Sequence, residues 1–167
     1  MLNQKRLFIV SASVTAIIFV VIFLFSSMPY QQQDIKPLLR KLVDFSDHPL
    51  PEFTMTYNSQ VVSTRAPYAF IEFALRKIGH SVGYFLLTLL CFLTLRLRKI
   101  THKKTLLISG IFAFVIAYLD EFHQTFIPGR TGQFIDVVVA DGFGIMLAFI
   151  VISVFEPLYA RNNKMLK

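Results

Sequence analysis

Three short runs of the chain concentrate side chains that bind or move charge. Lys77, His80 and Tyr84 stand three and four residues apart, which on a helix is one face. Asp120, Glu121, His123 and Gln124 form the second run, with Asp120 and Gln124 one turn apart. Arg130, Gln133 and Asp136 form the third, and Asp141 follows about a turn and a half further on. Two chemistries are open to such a set. Cations among carboxylates can grip an anion, with Arg130 and Lys77 in contact and Asp120, Glu121 and Asp136 holding them in place. His80, Tyr84, His123 and Gln124 complete that ligand-binding set. Carboxylates beside imidazoles can instead relay protons near neutral pH. Glu121 or Asp136 would then be the general base and His80 or His123 the shuttle.

The sequence favours the binding chemistry. The enzyme alternative is a membrane-embedded hydrolase or transferase acting on an outer-leaflet lipid or cell-wall intermediate. It lacks a nucleophile motif: there is no G-x-S-x-G, no Walker loop and no helix-borne Ser-Lys pair. A divalent metal on Asp120, His123 and Asp136 is conceivable, but no H-E-x-x-H or Cys/His spacing supports zinc. The expected complement of metal and cofactor is therefore none.

Such residues must be positioned by elements that live in lipid. Of 167 residues, 54% are hydrophobic and 16% charged. A soluble domain shows roughly 45–50% and about 25%. Disorder is excluded, and the single Cys91, which falls among packing residues, excludes a disulfide scaffold. The apolar residues fall in four blocks, at about 7–25, 78–97, 105–121 and 135–155. The first spans roughly 28 Å, close to a bilayer's hydrocarbon thickness. It is longer than a signal-peptide core and has no A-x-A-like site after it, so it is a retained anchor interrupted only by Ser11, Ser13 and Thr15. The apolar part of the third block, Thr105 to Leu119, is short for a span, so its helix must borrow from Asp120 onward or the bilayer must thin locally, a re-entrant segment being the competing reading. Ala140, Gly144 and Ala148 give the fourth a stripe for close helix approach. The fold class is an all-α membrane protein: a four-helix transmembrane bundle, one domain over residues 1–167, with an outer segment at 26–77.

Basic residues give the orientation. Lys5 and Arg6, then Arg96, Arg98, Lys99, Lys103 and Lys104, then Arg161, Lys164 and Lys167 all fall on one side of the four spans. By the positive-inside rule both termini are cytoplasmic. This accounts for much of the net charge of +7. It leaves anionic headgroups as the partner of those residues, and excludes nucleic acid. His102, in the basic link, is expected to be solvated. The three charged runs then share the outer boundary.

The outer segment has structure of its own. Ile35, Leu38, Leu39, Leu42 and Val43 recur at helical spacing, as in a short interfacial helix. Ser46-Asp-His-Pro-Leu-Pro51 breaks it. Residues 53–57 and 60–64 around Asn58-Ser59 form a small hairpin. Pro67 opens a helix that carries a Glu72–Arg76 pair and runs on into block two. Near the third run, Pro128 and Gly129 form a type II turn that fixes the stem of Arg130. Asp141 is a candidate buried partner for His80 or Arg130.

The run Asp120-Glu121-Phe-His-Gln124-Thr-Phe-Ile-Pro128-Gly129-Arg130-Thr-Gly-Gln-Phe-Ile-Asp136-Val137 resembles the signature of the VanZ-like family of small bacterial membrane proteins. Phe25-Ser26-Ser27 and Lys77-x-x-His80-x-x-x-Tyr84 match more loosely. The chain departs from the pattern at Ala140 and Asp141, where an Asn is common, and in its longer outer segment. The resemblance implies a cell-envelope protein of a Gram-positive bacterium. Through the founding member, it also implies a link to low-level resistance to teicoplanin-type glycopeptide antibiotics.

Overall fold

In the computed structural model each apolar block is a helix. The structure describes residues 2–46, 49–98 and 100–165, with only the backbone of residue 2 and of residues 156–165. Asp47 and His48 of the helix-breaking stretch, Lys99 of the basic link, Lys167, and the side chains of Arg161 and Lys164 lie outside the described residues.

The order is α1 (Leu2–Ser26), α2 (Tyr30–Gln33), α3 (Lys36–Leu42), β1 (Thr54–Tyr57), β2 (Gln60–Ser63), α4 (Pro67–Arg96), α5 (His102–Gln124) and α6 (Phe134–Asp136). A π-helical turn (Val137–Asp141) and α7 (Gly142–Met165) complete it. Among the described residues four helices are long and apolar enough to cross a membrane: Asn3–Ser26, Pro67–Arg96, His102–Gln124 and Phe134–Phe155. The chain is an all-α membrane protein carrying one small two-stranded sheet. The third block does draw on Asp120–Gln124, giving a continuous 23-residue helix in place of the re-entrant alternative. Helix α4 starts at Pro67, whose ring fixes φ and whose missing N–H is one of the unbonded first-turn donors. Its 30 residues run for about 45 Å, beyond a bilayer core of about 30 Å. Its first turns, with Glu72, Arg76 and Lys77, therefore project at the end where residues 27–66 and 125–133 gather. That end is called the lid end below.

Helix α4 is the centre of the bundle, packing on α1, α5 and α7. The core holds Tyr84, Leu87, Ala113, Ala117, Val137 and Ile145, with Ile18, Phe19 and Ile22 of α1 against it. Lipid tails are as apolar as leucine, so helices associate through close fit and interhelical hydrogen bonds. Both occur here. Ser11 and Thr15, the polar interruptions of α1, lie 2.7 and 3.1 Å from the Thr94 hydroxyl. The Ser81 hydroxyl donates to the Ala140 carbonyl across the α4–α7 contact, at 2.7 Å. A Cβ at Gly144 would run into the Ser81 carbonyl, and one at Gly110 into the Phe149 ring. The side chains turned outward are large and apolar, among them Ile9, Ile17, Ile111 and Ile150. His102 is not simply solvated: its ring sits edge-on to Phe92, with centroids 5.4 Å apart.

At the lid end, β1 and β2 pair antiparallel with Tyr57 opposite Gln60. Asn58 and Ser59 have φ of 46° and 65°, the two positive values a type I′ turn requires. Gly144→Val should lower stability by about 1–3 kcal/mol, because the clash is with backbone. Gly79→Ala, where a Cβ meets nothing within 4 Å, should melt at or above the wild-type temperature. Thermal melting in detergent micelles checks both. An unchanged Gly144→Val would mean that the close approach does not hold α4 to α7.

Candidate functional site

The lid end gathers eight of the nine residues expected to form a site. Lys77 and His80 sit on one face of α4, with Tyr84 a turn deeper and fully buried. Asp120, Glu121 and Gln124 are buried at the end of α5. Arg130, Asp136 and Asp141 are buried as well. The exception is His123. Its ring stacks on Phe23 of α1 with centroids 5.1 Å apart, and its Nε2 lies 3.2 Å from the Ser27 hydroxyl. At about 100° per residue, Asp120, Gln124 and Glu121 share one face, and His123 falls roughly 100° round from its centre. The trio of Asp120, His123 and Asp136, conceivable as metal ligands, is therefore not assembled. A different one is: His80, Asp120 and Glu121 offer ligand atoms all within 4.8 Å of one another.

Each charge has a specific neighbour. The amide nitrogen of Gln124 donates to Asp120 at 3.0 Å and to Glu121 at 3.1 Å. Its oxygen accepts from Arg130 Nη2 at 2.6 Å. Arg130 Nη1 donates to the Gln33 side-chain oxygen. Glu121 also accepts the Gln133 backbone N–H at 2.8 Å. A Cβ at Gly132 would run into the Glu121 carbonyl, so glycine is what lets the loop close this far. Asp136 is held by Lys77 and, at 2.5 Å, by the Tyr57 hydroxyl. His80 Nδ1 lies 3.0 Å from Asp141 and 3.9 Å from Glu121. Asp141 thus takes His80, not Arg130, as its partner.

Local backbone explains this convergence. The Gly142 N–H bonds to the Val137 carbonyl, five residues back. That i→i+5 turn brings Asp136 and Asp141 toward one face of a helix that would otherwise spread them. Gly129 has φ of 72° and the Arg130 N–H bonds to the Ile127 carbonyl at 3.0 Å, the expected type II turn. Buried Arg130 is pushed below its ordinary value by desolvation and then by Arg76, yet a guanidinium stays charged. Burial, then the Asp136 hydrogen bond, raises the Tyr57 phenol, so it remains a donor to that carboxylate.

The sequence did not point to several residues here. Glu72 does not pair along the helix with Arg76. It accepts from Tyr30 at 3.1 Å and lies 3.7 Å from Lys36, while Arg76 lies over the Tyr30 ring, 5.3 Å from its centroid. Tyr30, Gln33 and Tyr57 come from the lid. The only advance signal was for Tyr57, placed beside the hairpin turn. Together these groups enclose a cavity of about 320 Å³ whose wall carries the cations Arg76, Lys77 and Arg130, the imidazole of His80, and the carboxylates Glu72 and Asp136, paired with Lys36 and Lys77. Most of its charges are matched. Neither Arg130 nor Arg76 is in a described ion pair. The two terminal nitrogens of Arg130 rest on neutral amides and its buried Nε has no partner, as is also true of Glu72 Oε1 on the same wall. Such a cation suits an incoming anion.

The family model described as VanZ/LLP1 matches residues 12–156 of the chain. No curated protein and no solved structure matches it.

Gln124→Leu removes three hydrogen bonds to buried charged groups and should cost about 3 kcal/mol or more. Gln133→Ala should cost less than about 0.5 kcal/mol, since Glu121 uses the Gln133 backbone and the side chain stays at the surface. Detergent unfolding curves measure both, and equal effects would show that the amide is not the brace of the cluster.

Proposed function

Given that the chain belongs to the VanZ/LLP1 family, we propose that it is a cell-envelope membrane protein whose lid-end cavity binds an anionic or lipid-linked ligand. The observation that carries this reading is the Arg130 guanidinium, buried without a carboxylate and with Nε unpaired. A buried charge is costly unless something pairs with it. Arg76, over Tyr30, is the second cation on the cavity wall. Lys77 is committed to Asp136 and shapes the wall. Both termini face the cytoplasm, and the cavity opens outside, since Lys5 and Arg6 of the N-terminal tail and Arg96, Arg98, Lys103 and Lys104 around the α4–α5 link lie at the end opposite the lid. Through the family, altered susceptibility to teicoplanin-type antibiotics is the cellular readout.

The alternative reading, a hydrolase or transferase, draws on His80 between Asp141 and Glu121, a workable proton relay. Its candidate bases are occupied: Glu121 by Gln124 and the Gln133 N–H, Asp136 by Lys77 and Tyr57. The neighbouring Ser81 hydroxyl is spent on backbone carbonyls. Binding is the reading with the stronger support.

Arg130→Ala should weaken binding of glycerol phosphate to the purified protein at least tenfold, about 1.4 kcal/mol, with Arg130→Lys intermediate because it keeps charge but not the fork. In cells, Arg130→Ala at normal membrane abundance should shift teicoplanin susceptibility. If neither changes, the binding reading fails. For orientation, Thr131→Cys in a Cys91→Ala background should react with an impermeant maleimide in intact cells, and Lys104→Cys only after lysis. The reverse pattern would invert the topology.

A further inference from the structure

A second cavity, of about 590 Å³, adjoins the polar one on the α1 side. That size lies within the roughly 300–1,000 Å³ typical of small-ligand sites. Its walls are apolar side chains of two membrane-spanning helices, among them Val21, Ile22 and Phe25 of α1 and Leu75 and Val82 of α4. Leu75 and Val82 are about half exposed, so this side is open where the bilayer would lie. Along α4 the groove follows Gly79 and Gly83, four residues apart and so on one face. A Cβ at Gly83 would only touch Ile22, at 3.4 Å, and one at Gly79 would meet nothing within 4 Å. Glycine within a helix is destabilising relative to alanine, and at Gly79 no neighbouring side chain uses the space it leaves.

The two cavities meet at shared residues: Arg76, His80 and Arg130 belong to the walls of both. Arg130 is 9% exposed, with its Nε unpartnered at that junction. Asp120, the carboxylate in the groove wall, is already held by Gln124. Near the lid the combined space carries Arg76 and Arg130 outside the described ion pairs, its carboxylates Glu72 and Asp136 being paired with Lys36 and Lys77, and the rest is apolar and lies between transmembrane helices. A soluble anion would use only the first part. We infer that the occupant is an anionic membrane lipid. It enters sideways from the leaflet on the lid side, seats one hydrocarbon chain between α1 and α4 over Gly79 and Gly83, and places its phosphate on Arg130 and Arg76. This rests on the anion-binding reading above and names the class of ligand for that site.

The test compares three probes on the purified full-length chain in detergent by native mass spectrometry: phosphatidylglycerol, phosphatidylcholine with the same chains, and glycerol phosphate. Wild type should hold one phosphatidylglycerol at least tenfold more tightly than phosphatidylcholine. Gly79→Leu fills the groove, and should weaken phosphatidylglycerol tenfold or more while leaving glycerol phosphate unchanged. Should that variant melt early, Ile22→Phe narrows the groove from the α1 side and is read the same way. Unchanged lipid affinity in the well-folded groove variant overturns the inference, as does equal binding of the two lipids by wild type. Loss of glycerol phosphate discrimination between wild type and Arg130→Ala would instead overturn the anion-binding reading beneath it.

Discussion

One neutral amide holds the lid end together. Gln124 donates from a single nitrogen to Asp120 and Glu121 and accepts from Arg130 with its oxygen. Two carboxylates and a guanidinium are buried there at the edge of a bilayer, where an unpaired charge is costly. An ion pair between Arg130 and either carboxylate would satisfy both partners and leave no outward charge to use. An amide between them separates the charges, and the further partners of Glu121 and Arg130, the Gln133 N–H and the Gln33 side chain, are neutral as well. Arg130 is thereby left on the cavity wall outside the described ion pairs.

That arrangement constrains the backbone around it. Glu121 needs the Gln133 N–H, and the loop reaches it only because Gly132 has no Cβ to strike the Glu121 carbonyl. Beyond the loop, the π turn at Val137–Asp141 allows Asp136 to meet Lys77 and Tyr57 while Asp141 meets His80. The close approach at Gly144 then holds this stretch against α4, which supplies Lys77 and His80. Packing and chemistry are linked along one path: a wider α4–α7 spacing would separate Asp136 from Lys77 and Asp141 from His80.

What the sequence revealed follows from the range over which each signal acts. The four helices were legible because a bilayer demands long apolar blocks, and the hairpin because Asn58-Ser59 sits between two strand-like runs. Pro128-Gly129 gave the turn at Arg130, since φ above zero is a one-residue requirement. The spacing of Lys77 and His80 gave a face. His123 belongs to the same run as Asp120 and Gln124, but proximity in sequence is not a shared face, and at helical pitch its ring falls on the α1 side. The Glu72–Arg76 pair failed because a spacing rule describes an isolated helix, and the lid offered Glu72 two stronger partners in Tyr30 and Lys36. The π turn leaves no mark in composition that would separate it from continuous helix.

The lid itself is where tertiary structure decided most. Read as sequence, residues 26–66 are a connector with a short amphipathic helix and a hairpin, suited to tying helix ends together. In the structure three of its side chains enter the charged cluster: Gln33 on Arg130, Tyr57 on Asp136 and Tyr30 on Glu72. Each is a neutral hydrogen-bonding group set against a charge, the same device as Gln124. Neutral partners orient a buried charge without cancelling it, so these three groups add order to the site, and Lys36 is the lid's charged contribution, set against Glu72. A connector needed only for tethering would gain nothing from directing three such groups inward, whereas a wall closing over an anion site needs donors and acceptors that do not compete with the ligand's charge.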